Sequence, residues 1–528
     1  MIATLPRALR LFVFGLLLVG FVSRALPLLD VGGRVFKQFP TEDGYLMLTI
    51  ARNIAIGNGM STSNGTLPTN GTQPLFNFIE ASGFYLFGGD KHAGVTFALS
   101  CQVLISVLAA FAMFRLVRQL LRNRPHPERA AALAAAVWFA SPIVVPHSMN
   151  CLETGLYVMF VLFSTERWHS FWIARSGEKP RLLGALFVGV WLGATAWARI
   201  DAVFLIAAIT ATHTLLALSD GKQTLRPRIL ESFVMGATSV VVLSPWLIHN
   251  KLRFGAFTPI SGTAQSHNSS LGSNFLDVPA KLFEFANTVL PIPGVLEKST
   301  PALAISALTL VVYLWLLLRT FRGLDTDERA LFFVGSGVSA LLVGYYGFLF
   351  GAPHFVGRYL FPISPFAAAF TASLLTYGYD RFRSRTLIAR GVPVLSALVF
   401  MLVVGLQVRF YRNGDTHQHF QVVEWMQAHV KDSEWVGAEQ TGTLGFFHDR
   451  TVNLDGKVNP VALVHVLNNT IPEYIVNGEF GPERGRIHYI MDWYAVADWV
   501  TLEPMPGHFE LVVRDEANNL GVLKRKGI

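Results

Sequence analysis

Charge is scarce in this chain. Only 15% of its 528 residues are Asp, Glu, Lys or Arg, against roughly 25% in soluble globular proteins. That shortage excludes a disordered tail protein, a charge-laced coiled coil and an ordinary soluble enzyme. Cysteine is nearly absent. Cys101 and Cys151 are the whole complement, which excludes a disulfide scaffold and a multi-cysteine zinc site. No Walker loop, zinc-ligand spacing or nucleophile elbow stands in a fitting context, and nothing suggests an ATP-driven pump. The net charge of +8 does not point to nucleic acid, because the basic residues recur in short gaps between apolar segments rather than in one patch.

Hydrocarbon is what the chain has in abundance. Hydrophobic residues make up 52% and the mean hydropathy is +0.42, as expected where lipid replaces water as the solvent. Apolar runs near 9–29, 93–121, 130–148, 152–173, 182–198, 202–218, 229–249, 301–318, 329–350, 358–378 and 391–411 predict eleven membrane-spanning helices. The first is expected to stay attached, since it lacks a small-residue cleavage site and a long membrane domain follows it.

Alternate gaps are basic. One carries Arg115, Arg118, Arg122, Arg124 and Arg129; others carry Arg167 to Arg181, Lys222 to Arg228, Arg319 to Arg329, and Arg381 to Arg390. The positive-inside rule puts these gaps in the cytoplasm. The gaps 30–92, 148–153, 199–201, 250–300 and 351–357 then face outward, together with the tail 412–528. Two of the outer loops are long, which marks them as the places to look for chemistry. The expected organisation is a membrane domain over 1–411, with long outer loops 30–92 and 250–300, and a small extracytoplasmic α/β domain over 412–528. In that tail, 417–430 reads as an amphipathic helix. Strands are expected at 435–438, 451–454, 487–491 and 509–513, with a loop at 439–450.

In the first outer loop, EDGYLMLTIARNIAIGNG at 42–59 has helical spacing and a glycine stop. Glu42 and Asp43 open that helix. They either cap it and complement its dipole or form an acid pair at the membrane surface that works as a base. Pro74 suits the first turn of a second helix that is too short to span, and therefore interfacial. Glu153 stands at the start of a span. Arg199 and Asp201, two apart in a tight turn, are either a simple ion pair or the lining of a polar cavity. Loop 250–300 contains His267 and an apolar stripe of Phe275, Val278, Leu282, Phe285 and Val289, read as a membrane anchor. His354 and Arg358 lie at the start of the tenth span, where an arginine either snorkels or holds an anionic head group.

Taken in order, these pieces resemble the membrane glycosyltransferases of the GT-C fold, over nearly the whole chain. The similarity rests on Glu42-Asp43-Gly44-Tyr45 through ARNIAIGNG, PTNGTQPL at 68–75, NCLETGLY at 150–157, WARID at 197–201 and HFVGRYLFPISP at 354–365. The tail segment AEQTGTLGFFHDRTVNLDGKVNP at 438–460 resembles the bacterial arabinofuranosyltransferase-like branch. Ala198 and Ile200 depart from the family's usual Thr and Pro, and Glu42 from its usual first Asp.

The resemblance implies an α-helical polytopic membrane protein that moves a sugar from a polyprenyl-phosphate donor, with inversion, at the outer face of the cytoplasmic membrane. The acceptor would be a glycan, a lipid or a protein, and arabinofuranose is the sugar favoured. Asp43 is the expected base, with Glu42 its alternative. Tyr45, Gln73, Glu153, Arg199, Asp201, His267, His354 and Arg358 are the expected substrate-binding residues. No cofactor is required; no ligand cluster demands a metal, and the reading leaves room for a divalent one. The competing class is a lipid-glycan transporter or flippase, expected to show internal repeats and midplane charges. The discriminating observation is whether the outer loops form one cavity with the acid pair in its wall.

Overall fold

The computed structural model of the chain describes all residues except 1–4, 175–178, 221, 268–269, 282–310, 312–314, 316–317, 319–322, 350–355, 383, 385, 414–418 and 528. The membrane domain is helical: α1 (Arg7–Ala25), α2 (Glu42–Ala55), α3 (Pro74–Leu86), α4 (Lys91–Leu120), α5 (Pro127–Ala140), α6 (Thr154–Ile173), α7 (Leu182–Ala198), α8 (Ala202–Leu215), α9 (Lys222–Phe254), α10 (Ile260–Ser266), α11 (Thr326–Phe348), α12 (Ser364–Phe382) and α13 (Thr386–Asn413). A helix rises about 1.5 Å per residue, so the longer of these cross a hydrocarbon layer of about 30 Å unaided.

Local chemistry sets their ends. Asp90 caps α4 by accepting from the Ala93 N–H at 2.7 Å. Pro74 and Pro127 fill the first turns of α3 and α5. Asp325 and Glu328 form a reciprocal capping box on α11.

Helices occupy ten of the eleven expected spans; the stretch 301–318 lies almost wholly outside the described residues. Among the described residues, six helices are long and apolar enough to cross a membrane by themselves, and α7 and α8 are shorter apolar helices. The expected span 130–148 is two pieces, α5 and a short helix Val144–Ser148, because the chain turns at Ser141-Pro142. Helix α6 carries Glu166, whose charge is met by Arg115 at 2.8 Å; its burial among α4, α7 and α11 makes that tolerable.

The loops segregate to two ends, as the alternating basic gaps predict. At one end Arg122 pairs with Asp327, Arg124 with Glu328, and the Trp172 indole donates to Asp327. At the other end gather α2, α3, α10, the turn 199–201 and the tail. The charge rule leads to the expectation that this second end is outside, which labelling tests. In a chain lacking Cys101, Ser270→Cys and Asn468→Cys are expected to react with an impermeant thiol reagent in intact cells and Pro125→Cys only after lysis. The reverse pattern would invert the orientation.

The tail forms a five-stranded mixed sheet. Its strands are β1 (Trp435–Ala438), β2 (Thr451–Asn453), β3 (Ile487–Asp492), β4 (Phe509–Asp515) and β5 (Leu520–Arg525). They are ordered β2-β1-β3-β5-β4, with β1 parallel to both β2 and β3 and the rest antiparallel. Helix α14 (Phe420–His429) packs on it. The expected loop 439–450 instead contains a short helix, α15 (Gly442–Phe447). Strand β5 escapes sequence reading because LGVLKR, at the sheet's interior, lacks the polar/apolar alternation that flags a strand.

This domain is not tethered loosely. Tyr45, Phe36, Phe446, Phe447 and Phe420 form one aromatic cluster across the junction. Arg52 and Lys91 both reach Asp449 at 3.3 Å. Two glycines permit the closest approaches. A methyl group on Gly442 would sit 1.7 Å from the Glu42 carbonyl oxygen, and one on Gly71 would sit 2.2 Å from the Lys457 carbonyl oxygen.

Candidate active site

Helix α2 begins at the junction. Its N-cap is Thr41, whose hydroxyl accepts from the Gly44 N–H at 3.1 Å. The two acids that follow are therefore released from capping. Consecutive helical residues point about 100° apart, and Glu42 and Asp43 diverge accordingly. Glu42 faces the tail. Its carboxylate accepts from the N–H of Gly442, from the N–H of Thr443 at 3.0 Å and from the Thr443 hydroxyl. Asp43 faces the membrane domain and lines a cavity of ≈ 350 Å³.

Arg358, in the short helix Val356–Leu360, meets Asp43 with Nη1 2.6 Å from Oδ2. Behind them lies a second charged group. Arg199 Nε is 2.5 Å from Asp201 Oδ2, and Nη1 is 3.1 Å from Glu153 Oε1. Burial pulls the Arg199 guanidinium down, but Asp201, Tyr346 and Glu153 more than compensate, so it is held above the usual arginine range. A tight turn places Glu153: Cys151 takes a left-handed conformation with φ 55°, and its N–H donates to Gln102 at 3.1 Å. Gln73 joins the wall and accepts from the Ile200 N–H at 3.3 Å.

Two surfaces complete the cavity. Tyr346 and Tyr359 stack with centroids 4.3 Å apart, and Arg199 lies over the Tyr359 ring at 4.7 Å. Thr258, Ser261, Thr263, Gln265 and Ser266, from α10 and the residues before it, add hydroxyl and amide side chains to the lining. Asn70 fixes this wall by bonding Asn250 at 3.1 Å and the Ile260 N–H at 3.2 Å. Lys457 arrives from the tail.

The loops at this end thus line one cavity. Asp43, Gln73, Glu153, Arg199, Asp201 and Arg358 share it. Glu42 is turned away from it. Tyr45 is fully buried beneath, its hydroxyl donating to the Phe36 carbonyl. His267 is exposed just beyond α10 and is not part of the lining. His354 lies outside the described residues, as does the anchor stripe from Leu282 onward. Phe275 packs on Phe348 at 5.0 Å. The tyrosines, the hydroxyl wall and Lys457 escape sequence reading. Tyr345-Tyr346 sits at the end of an apolar run, and TPISGTAQS carries no charge to draw notice. Among the described residues no three His, Cys, Asp or Glu gather as metal ligands.

One buried histidine sits behind Glu42. His419 lies 3.1 Å from Asp492 and 3.9 Å from Glu42. Burial lowers its affinity for a proton, but Glu42 and Asp492 raise it further, so its pKa stands above the ordinary value. A raised folded-state pKa adds stability below the unfolded value of about 6.5, lost as pH rises through the folded value. The thermal midpoint of the wild type is therefore expected to fall relative to His419→Gln as pH rises from about 6 toward 8. Parallel profiles would remove His419 from the junction's pH dependence.

Outer loops and tail folded over a charged cavity at one end of an apolar helix bundle define the GT-C fold of polytopic membrane proteins. The comparisons with known proteins agree. A family model described as dolichyl-phosphate-mannose-protein mannosyltransferase matches residues 70–249, and a model described only as a domain of unknown function matches 407–518. The chain superposes on ArnT from Cupriavidus metallidurans bound to undecaprenyl phosphate, with TM-score 0.60 and 13% identity over 97% of each chain. It superposes on the apo Archaeoglobus fulgidus oligosaccharyltransferase with TM-score 0.53 and 12% identity, over 95% of this chain and 73% of that one. The same organism's AglB, in complex with an inhibitory peptide and a dolichol-phosphate, gives 0.52 and 12% over 98% and 74%. No curated protein sequence matches significantly.

Proposed function

We propose that this chain is a glycosyltransferase that moves a sugar from a polyprenyl-phosphate donor to an acceptor hydroxyl at the outer face of the cytoplasmic membrane. The observation that carries the reading is the Asp43–Arg358 pair in the wall of a cavity at the loop end of the bundle. ArnT was solved with undecaprenyl phosphate and AglB with a dolichol-phosphate, which supports a lipid-linked donor.

Arg358 is the cation for the donor phosphate. A phosphate oxygen competes for the guanidinium that Asp43 holds at 2.6 Å, because phosphate and carboxylate accept the same charge-assisted bonds from arginine. Donor binding thereby frees the Asp43 carboxylate. The acceptor oxygen attacks the anomeric carbon, its proton passes to Asp43, and the carbon–oxygen bond to phosphate breaks with its electron pair going to the departing polyprenyl phosphate. Attack opposite the leaving group inverts the centre. The neutral hydroxyl wall of α10 suits an uncharged sugar, and arabinofuranose is the sugar proposed. The acceptor is a glycan, a lipid or a protein.

A lipid-glycan flippase is the weaker reading, because the cavity's charges sit among the loops at one end of the bundle, whereas transporter sites lie near the midplane. The test is purified protein incubated with a panel of polyprenyl-phosphate sugars and candidate acceptors, with and without chelator, and products read by mass spectrometry. One transferred sugar is expected. Hydrolysis alone, or no reaction with any donor, would reject the assignment. Loss of activity in chelator, restored by a divalent ion, would add a metal.

A further inference from the structure

We infer that the C-terminal domain donates a working residue to the cavity: Lys457 is a second cation for the phosphate that leaves. The inference rests on the transferase reading above. It gives a role to a turn within residues 407–518, the stretch matched by the model described as a domain of unknown function.

Lys457 follows a tight turn built to present it. Gly456 takes φ +77°, and a methyl group there would sit 2.7 Å from the Leu463 backbone. One carboxylate holds the lysine twice: Asp455 Oδ1 accepts its N–H at 2.9 Å, and Oδ2 meets its Nζ at 2.9 Å. The turn is wedged into the membrane domain. Its carbonyl abuts Gly71, and Val458 packs among Leu46, Met47, Ile50 and Leu152. Asn459 locks the far side by donating to the Asn453 carbonyl at 2.8 Å and capping the next helix. Lys457 lines the same cavity as Asp43 and Arg358. Burial favours its neutral form, but Asp455 and then Asp43 outweigh that, so it stays protonated.

The charge count of the reaction calls for such a group. The donor is a phosphodiester with one negative charge. When the sugar departs, the phosphate keeps the bonding electrons and becomes a monoester with a second charge, about −1.5 to −2 at neutral pH. Arg199 is already shared by Glu153 and Asp201. Arg358 meets the charge present at the start, and Lys457 meets the charge that develops. A donor group aimed at developing charge accelerates the step rather than merely tightening substrate binding.

The test uses the full purified chain with two probes, farnesyl phosphate as the monoester and methyl farnesyl phosphate as the diester. Lys457→Met is expected to weaken monoester binding about tenfold to hundredfold and diester binding far less. Lys457→Arg is expected to recover most of the difference, and Lys431→Met on the exposed tail surface to change nothing. If a transfer assay is in hand, Lys457→Met lowers kcat more than it raises donor KM. Equal monoester affinity in wild type and Lys457→Met overturns this inference alone. A wild type that binds neither probe overturns the transferase reading with it. Should Lys457→Met fail to fold by thermal melting, Lys457→Gln and Lys457→Arg carry the comparison. A Gln variant that binds both probes like wild type overturns the role.

Discussion

Asp43→Asn is expected to lower the transfer rate about 10²–10⁴-fold, the usual worth of a positioned general base. Its affinity for polyprenyl phosphate should stay equal or rise. Asparagine keeps the size of the side chain and one oxygen for Arg358, but it cannot take the acceptor's proton. It also loosens the 2.6 Å ion pair, so the guanidinium meets phosphate without first leaving a carboxylate. A base that merely held the donor would lose both rate and affinity, and the two measurements separate these cases. Glu42→Gln supplies the contrast. Its carboxylate accepts from two backbone N–H groups and a hydroxyl of the tail, and an amide turns one acceptor into a donor facing donors. The expected outcome is a lower thermal midpoint with transfer retained in the folded fraction. A well-folded but inactive Glu42→Gln protein, beside an active Asp43→Asn protein, would move the base one residue back.

Arg358→Ala should weaken binding of polyprenyl phosphate about tenfold to hundredfold, the range of a charged hydrogen bond removed from a partly buried site. Lysine should recover only part of it, because an ammonium is a point charge and cannot replace a planar fork that meets two phosphate oxygens at once. The two sites are coupled, so their effects should not add. In a double-mutant cycle with Asp43→Asn, the affinity lost on removing Arg358 should be larger when Asp43 is already gone. Strict additivity would mean that phosphate and Asp43 do not compete for the same guanidinium. Isothermal titration in detergent with farnesyl phosphate reads all four corners.

How much of this was readable beforehand depends on what each residue signals locally. Spans announce themselves by length and apolarity, and the sidedness of loops by the spacing of arginines, so the bundle was legible almost throughout. The cavity's charged residues were legible because charge at the edge of an apolar run is conspicuous: Glu153, Arg199, Asp201 and Arg358 stand out against their neighbours. What sequence conceals is direction. Glu42 and Asp43 look equivalent as letters, and only the turn of the helix sends one to the tail and the other to the cavity. Tyr45 resembles a ligand-stacking aromatic but is buried under Phe446 and Phe447. Lys457 lies in a turn with no periodicity, more than 400 positions from Asp43, and no local pattern reports that such a turn inserts beside α2.

The hydrogen bonds of Glu42 to Gly442 and Thr443 join positions 400 and 401 apart, and that separation bears on how the protein is made. During synthesis the first outer loop emerges early and waits while the rest of the bundle is inserted. Through that interval its carboxylate, the Ser63 hydroxyl that donates to the Thr451 carbonyl, and the ring of Tyr45 lack their partners in the tail. At about 5–20 residues per second, the wait lasts tens of seconds. A loop left open so long is a natural target for chaperones and for surface proteases. It also means that the cavity lacks Lys457 and the turn that carries it until the tail has been made, so a ribosome that stalls short of position 457 leaves that wall incomplete.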